Sequence, residues 1–155
     1  MKKSLSLLLI ILIIFVLYPV HANAMDNGHE IEYLGDGSYY VTIIEDASSE
    51  VIVPMSSKTV TKSKTTYYKN KNGVTLWHVK ITGTFTYGDG KAKCTKATPA
   101  AASKSAAWKV SNISGNRSGN KASATATGKQ YVGGSVVNTK TKTVTLSCSP
   151  SGVFS

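Results

Sequence analysis

The stretch LWHVKITGTFTYGDGKAKC, residues 76–94, is the most regular passage of the chain and decides its fold class. Polar residues alternate in it with apolar or small ones, and strict alternation over this length predicts a β-strand with one buried face. The predicted inward residues are Trp77, Val79, Ile81, Gly83, Phe85 and Tyr87. The triplet Gly88-Asp89-Gly90 predicts a turn, after which the returning strand places Cys94 inward. Because alternation puts Trp77 and His78 on opposite faces, the stretch predicts a central hairpin and not a shared site.

Shorter runs of the same kind recur along the rest of the chain. Further strands are predicted at residues 59–69, 108–110, 121–128 and 138–149, with turns at Asn72-Gly73 and Gly133-Gly134. The Ser/Gly/Asn-rich run 111–120 is predicted to be a loop, and residues 99–107 are either one turn of helix or a loop.

Many short strands with few helix signals predict an all-β fold, either an antiparallel β-sandwich or a partly open barrel. Ala122, Ala124 and Ala126 share one predicted face, and residues this small indicate that two backbones pack closely there. The predicted core contains Trp77, Val79, Ile81, Phe85, Trp108, Val144 and Leu146. Immunoglobulin topology is not predicted, because Leu146 stands where such domains usually have Tyr and only seven residues follow Cys148.

The N-terminus has the three parts of a secretory signal peptide. Lys2 and Lys3 form a basic start, residues 5–17 form an apolar run, and Ala22-Asn23-Ala24 supplies small residues for cleavage after Ala24. An uncleaved membrane anchor is the alternative. It is disfavoured because the run is shorter than the roughly 20 residues that span a bilayer, and Pro19 interrupts its end. We therefore expect residues 1–24 to be removed and the mature protein to be secreted, without a membrane span.

The charges are divided between two segments of the mature chain. Residues 25–50 carry seven acids and no Lys or Arg, whereas residues 51–155 carry sixteen Lys or Arg and a single acid, Asp89. We predict an acidic N-terminal arm at 25–54, either flexible or folded as a short hairpin around residues 35–37, and a basic β domain at 55–155. The arm is either a solvated tail or a segment that lies on the basic domain and screens its charge.

Cys94 and Cys148 both fall on predicted inward faces. Two cysteines in an exported chain most simply form one disulfide, and the alternative is a pair of buried free thiols. The predicted Cys94–Cys148 bond would close a loop of about 55 residues and stabilise the fold by roughly 4 kcal/mol in the chain-entropy model.

Several longer strings carry a family resemblance. They are EYLGDGSYYVT, GTFTYGDGKAKC, AWKV, SGNKASATATGK and KTKTVTLSCSPSG, which begin at residues 32, 83, 107, 118 and 140. With these strings the chain resembles a group of small exported proteins of Gram-positive bacteria for which no activity is established. The resemblance implies an exported, β-rich protein over most of the mature chain and carries over no functional residue.

No catalytic constellation is recognisable in the mature chain. Its two histidines, His29 and His78, lie in the acidic arm and on the polar face of a strand, and a lone strand histidine is far more often a surface residue than a catalytic base. Asp89 is explained by its turn, so the paired carboxylates of a glycosidase are also missing from the basic domain. An enzyme is therefore disfavoured, and no cofactor or metal site is expected.

Binding is the favoured class of function. Five lysines in predicted strands could line a basic face for anionic polymers such as teichoic acids or anionic glycans, and they are Lys62, Lys64, Lys80, Lys140 and Lys142. Such binding would associate the secreted protein non-covalently with the cell wall, whereas a specific nucleic-acid role is disfavoured. The same lysines could instead only keep the protein soluble and its strand edges unpaired.

Two alternative functions stay open at this stage. The pairs Tyr39-Tyr40 and Tyr67-Tyr68 would each present one ring outward, as a neutral-glycan-binding module requires. A small, basic, exported protein could also be a toxin or bacteriocin-like effector, although no amphipathic helix supports this.

Overall fold

A computed structural model describes residues 23–26, 29–47 and 57–155, and these residues contain nine β-strands and no helix. The strands are β1 (Asn23–Asp26), β2 (His29–Tyr33), β3 (Tyr39–Asp46), β4 (Lys58–Lys69), β5 (Thr75–Gly88), β6 (Lys91–Ser103), β7 (Trp108–Ser118), β8 (Lys121–Val132) and β9 (Ser135–Ser147). The predicted signal peptide lies outside the described residues except for Asn23 and Ala24. These two residues begin β1, which therefore spans the predicted cleavage point.

The strands form two antiparallel sheets. Sheet A has the order β1-β2-β3-β4-β5-β6, and sheet B has the order β7-β8-β9. Every hydrogen-bonded neighbour is thus also the neighbour in sequence, and the chain crosses from one sheet to the other between β6 and β7. The predicted antiparallel β-sandwich is confirmed. The Greek-key connections of an immunoglobulin domain are absent from the described strands.

The core lies where β5 of sheet A meets β8 and β9 of sheet B. All seven predicted core residues are buried, from Trp77 on β5 to Leu146 on β9. Opposite β5, the three alanines of β8 are buried as well, so the close packing predicted from their size is observed. Gly128 continues the alanine row, and the indole of Trp77 occupies the space of its missing side chain: a Cβ on Gly128 would lie 2.6 Å from Trp77 Nε1.

Two segments that lack strand signals are nevertheless extended. Residues 99–103 form the end of β6, and residues 111–118 belong to β7, so the predicted loop at 111–120 is wrong. Pro99 is tolerated because β6 is the last strand of sheet A, where a missing N–H on the outer edge removes no ladder bond. Gly115 does not form a turn but packs on Pro99, whose ring carbons would lie 2.7 Å from a Cβ on Gly115.

The predicted Cys94–Cys148 disulfide is wrong, because both cysteines are buried free thiols. The β7–β8 turn bonds to both segments: the Cys94 amide donates to the Gly119 carbonyl (2.8 Å) and the Cys148 amide to the Asn120 carbonyl (3.1 Å). Each thiol donates to a carbonyl near it in the chain, Cys94 Sγ to Lys96 (3.2 Å) and Cys148 Sγ to Ser149 (3.3 Å). Both therefore face inward, as predicted, without meeting each other. Burial raises the pKa of both thiols.

The acidic segment continues sheet A. Strands β2 and β3 form a hairpin, and β3 pairs with β4 over its whole length, from Tyr39 opposite Lys69 to Asp46 opposite Lys62. Tyr40 of β3 is buried, with its ring centroid 5.3 Å from that of Tyr68 on β4. The boundary predicted near residue 54 falls in 48–56, outside the described residues.

Candidate functional site

The strand register separates the five predicted binding lysines. On β4, Lys62 and Lys64 lie opposite Gly83 and Ile81, on the face of sheet A that is turned toward sheet B. Lys140 and Lys142 lie on the same face of β9 as the buried Val144 and Leu146, and they point toward sheet A. Lys80 lies opposite Thr65, on the other face of sheet A. The structure therefore brings four of the five lysines to one side of the sandwich and leaves Lys80 apart from them.

Three of these four lysines are paired with acids of the N-terminal segment. Lys62 pairs with Asp46, Lys142 pairs with Glu32, and Lys140 Nζ lies 3.2 Å from Asp36 Oδ2. The Lys142 ammonium also sits 4.4 Å above the centroid of the Tyr40 ring. This arrangement corresponds to the screening interpretation of the acidic arm, since its carboxylates occupy the lysines that an external anion would need.

The fourth lysine, Lys64, lines a cleft of about 220 Å³ between the two sheets. The cleft contains carboxylates as well as ammonium groups, and its lining residues are Glu30, Glu32, Thr42, Lys64, Thr66, Lys142, Thr143, Val144 and Thr145. Two acids beside two lysines leave little net charge. This side of the sandwich is therefore a mixed-charge surface and not a basic face.

A second group of cations forms no salt bridge among the described residues. Five exposed side chains from β6, the end of β7 and the start of β8 form what we term the β6 edge patch: Lys91, Lys93, Lys96, Arg117 and Lys121. Arg117 connects the two sheets here, because its Nη1 donates to the Thr95 carbonyl on β6. Five residues of extended chain separate Lys91 from Lys96, so the patch extends about 17 Å along the strand.

The β6 edge patch carries a net positive charge. Residues 90–155 contain no Asp or Glu, and no salt bridge among the described residues involves a member of the patch. The nearest acid in sequence is Asp89, which has a left-handed backbone (φ 49°) in the β5–β6 turn and lines the same surface hollow as Lys91 and Lys93 without a salt bridge to either. The signal for this patch was present in the sequence as Lys-Ala-Lys-Cys-Thr-Lys and Arg-Ser-Gly-Asn-Lys. Without the contact of β6 with the β7–β8 turn, however, nothing in the sequence joins the two strings.

The outer face of sheet A carries the aromatic residues considered for glycan binding. Tyr39 and Tyr67 point outward while Tyr40 and Tyr68 are buried, so one ring of each adjacent pair is turned away from the core, as predicted. The outward rings border a shallow groove of about 380 Å³ lined by His29, Ile31, Tyr39, Val41, Ile43, Tyr67, Lys69 and Thr75. Aliphatic side chains occupy the space between the rings, so the groove is mainly apolar.

His78 lies on the same outer face, and no acid among the described residues pairs with it. Its Nδ1 is buried without a hydrogen-bond partner, and its ring lies 5.7 Å from that of Tyr67. Burial, with Lys104 and Lys80 nearby, lowers the pKa of His78 below its usual value, so the imidazole is neutral at pH 7. A neutral histidine without a nucleophile or an orienting carboxylate does not form a catalytic dyad.

The described residues were also compared with the requirements of a metal site and of a membrane-spanning helix. Within residues 23–26, 29–47 and 57–155, no three His, Cys, Asp or Glu side chains are grouped as a metal site would require. The same residues include no helix with the length and apolar character needed to cross a membrane. Comparisons with protein-family models, with curated proteins and with solved structures gave no match to this chain.

Proposed function

We propose that the protein is exported and binds anionic polymers of the cell envelope or its surroundings, without catalysing a reaction, through the β6 edge patch. The observation that carries the proposal is the set of five exposed cations on adjoining strand edges, none of which forms a salt bridge among the described residues. An unneutralised group of this kind raises the local concentration of polyanions. The lysines chosen from the sequence are less suited, because acids already occupy three of them.

The form of the patch favours a flexible polymer over a small anion. Lys91, Lys93 and Lys96 follow one another along an extended edge strand, with about 7 Å between alternate residues. A chain that carries one phosphate or carboxylate per repeat can place successive charges beside successive cations. Teichoic acids and acidic glycans have this character. None of the five side chains of the patch is aromatic, and a specific nucleic-acid role stays disfavoured.

The proposal is tested by sedimentation with purified cell wall over a range of salt concentrations. Five phosphate contacts would give a slope of log K against log[salt] of roughly −4. The double variant Lys93→Glu/Lys96→Glu should reduce the slope by about 2 and weaken binding at least tenfold.

The matched control is Lys71→Glu/Lys104→Glu, which changes the net charge by the same amount at the opposite end of the sandwich. This control should bind within about threefold of the wild type. Equal losses in both variants would show that only net charge matters, and absence of wall binding at low salt would refute the proposed function.

A further inference from the structure

The hairpin that joins β8 and β9 has an exposed apolar end. Val132 is 61% exposed, Val136 48% and Val137 57%, and together they form what we term the valine tip. Between them, Gly133 and Gly134 have left-handed backbones (φ 58° and 85°), so the hairpin turns tightly without a polar side chain at its apex. The register shifts here, because Tyr131 pairs with Val136 and Gln130 with Asn138, so Val137 is the extra residue of a β-bulge. Val132 pairs with the exposed Ser135, so the hairpin end is mainly but not wholly apolar.

Other turns lie at the same end of the sandwich. The contacts of Gly83 with Ala122 and of Gly128 with Trp77 show that β8 runs antiparallel to β5, so the valine tip and the β4–β5 turn share one end. Val74, in that turn, is 55% exposed. The β6–β7 turn also reaches this end, because the Tyr131 amide donates to the Ala107 carbonyl (2.8 Å).

Cations surround this apolar end. Lys71 and Lys104 lie in the neighbouring turns, and Lys109 and Lys129 are cross-strand partners just behind the valine tip. The Lys109 ammonium lies 5.0 Å from the centroid of the Tyr131 ring. The one acid described at this end is Asp36, in the β2–β3 turn, and its carboxylate is paired with Lys140.

We propose that the valine tip inserts shallowly into the interface of an anionic lipid bilayer. An exposed apolar patch marks a protein or membrane contact, and the cations around it favour the membrane. Valine side chains would enter the boundary of the acyl chains, while flanking lysines extend their ammonium groups to the lipid phosphates. The site is independent of the β6 edge patch, which lies toward the other end of the sandwich.

The test is co-sedimentation of the secreted chain with vesicles of phosphatidylcholine and 30% phosphatidylglycerol, compared with phosphatidylcholine alone. We expect at least tenfold tighter binding to the anionic vesicles. The double variant Val132→Ser/Val137→Ser should bind the anionic vesicles at least tenfold more weakly than the wild type. The variant Lys109→Gln/Lys129→Gln should also bind more weakly, and its binding should depend less on salt. The control Val153→Ser removes a valine that is 66% exposed near the C-terminus and should bind as the wild type does.

Three results would overturn the inference. They are no binding to anionic vesicles, equal losses in the tip variant and the Val153→Ser control, and equal binding to neutral vesicles. Light scattering tests the alternative that the tip is a protein interface. That alternative is supported if the wild type is a dimer that does not bind vesicles and the tip variant is a monomer. Because Lys93→Glu/Lys96→Glu should spare vesicle binding and the tip variant should spare wall binding, failure of one proposal is distinguishable from failure of the other.

Discussion

Replacing Gly128 with Ala tests the packing of the two sheets at their closest approach. The added Cβ would lie 2.6 Å from Trp77 Cε2 and Nε1, well inside van der Waals contact. Trp77 is fully buried, so its ring cannot move aside without displacing the neighbouring core. Inserting a methyl group into a packed core typically costs 1–3 kcal/mol. The lower chain entropy of unfolded Ala offsets about 0.5 kcal/mol of that cost.

The expected net loss is about 1.5 kcal/mol in the free energy of unfolding. For a domain of this size it corresponds to a fall of about 6 °C in Tm. Urea unfolding followed by Trp fluorescence measures the loss directly. Gly35→Ala is the matched control, because a Cβ at Gly35 would meet no atom within 4 Å and Gly35 has no left-handed backbone. Its stability should stay within about 1 kcal/mol of the wild type.

A double-mutant cycle shows whether Trp77 is the cause. In a Trp77→Phe background the five-membered ring that the new methyl meets is gone, so Gly128→Ala should cost at least 1 kcal/mol less than in the wild type. If Gly128→Ala is as stable as Gly35→Ala, or costs the same in both backgrounds, the close approach of β8 to β5 is not what requires glycine at this position.

Three further predictions concern titratable groups. Unfolded without reductant, the protein should take up two equivalents of iodoacetamide, at Cys94 and Cys148, whereas the native protein should react slowly because both thiols are buried; a protein that takes up none contains a disulfide. Since burial lowers the pKa of His78, the neutral imidazole contributes its full stability above about pH 6.5, and this contribution is lost on acidification. The urea midpoint should therefore fall less between pH 7 and pH 5 in His78→Gln than in the wild type, and an equal fall in both proteins would contradict this. Hydrogen bonds from Ser38 lower the pKa of Asp36 to about 2, so the wild type should lose stability between about pH 4 and 2. The Asp36→Asn variant should lose less stability over this range, and an equal loss in both proteins would contradict the lowered pKa of Asp36.

Alternation was sufficient to predict the fold where a strand has one buried and one solvated face. Trp77, Ile81 and Phe85 alternate with Lys and Thr, and all three are buried. The extended segments 99–103 and 111–118 were missed because Pro99 and Gly115 usually interrupt a strand. Here they meet each other: the Pro99 ring packs where Gly115 has no side chain. This contact joins strands of different sheets, so neither segment by itself contains a sequence pattern that predicts it.

The surroundings of the predicted binding lysines could not be derived from the sequence for a related reason. The sequence shows that Lys62 and Lys142 lie on strands, but their neutralisation depends on Asp46 and Glu32, sixteen and 110 residues away in the chain. Likewise, Arg117 joins the β6 edge patch only through its bond to Thr95. The alternation of polar and apolar residues determines on which face of a strand a charged side chain lies. The other charges around that side chain depend on the order of the strands and on how the two sheets pack.

The sequential order of the strands has a consequence for how the chain acquires its structure. A strand emerging N-terminus first finds its partner in the strand that emerged just before it, so each sheet can grow hairpin by hairpin. Only the docking of sheet B on sheet A, across the β6–β7 connection, joins residues far apart in sequence. Folding should therefore be faster than for Greek-key sandwiches of similar length, with Trp77 reaching its buried environment in the last step.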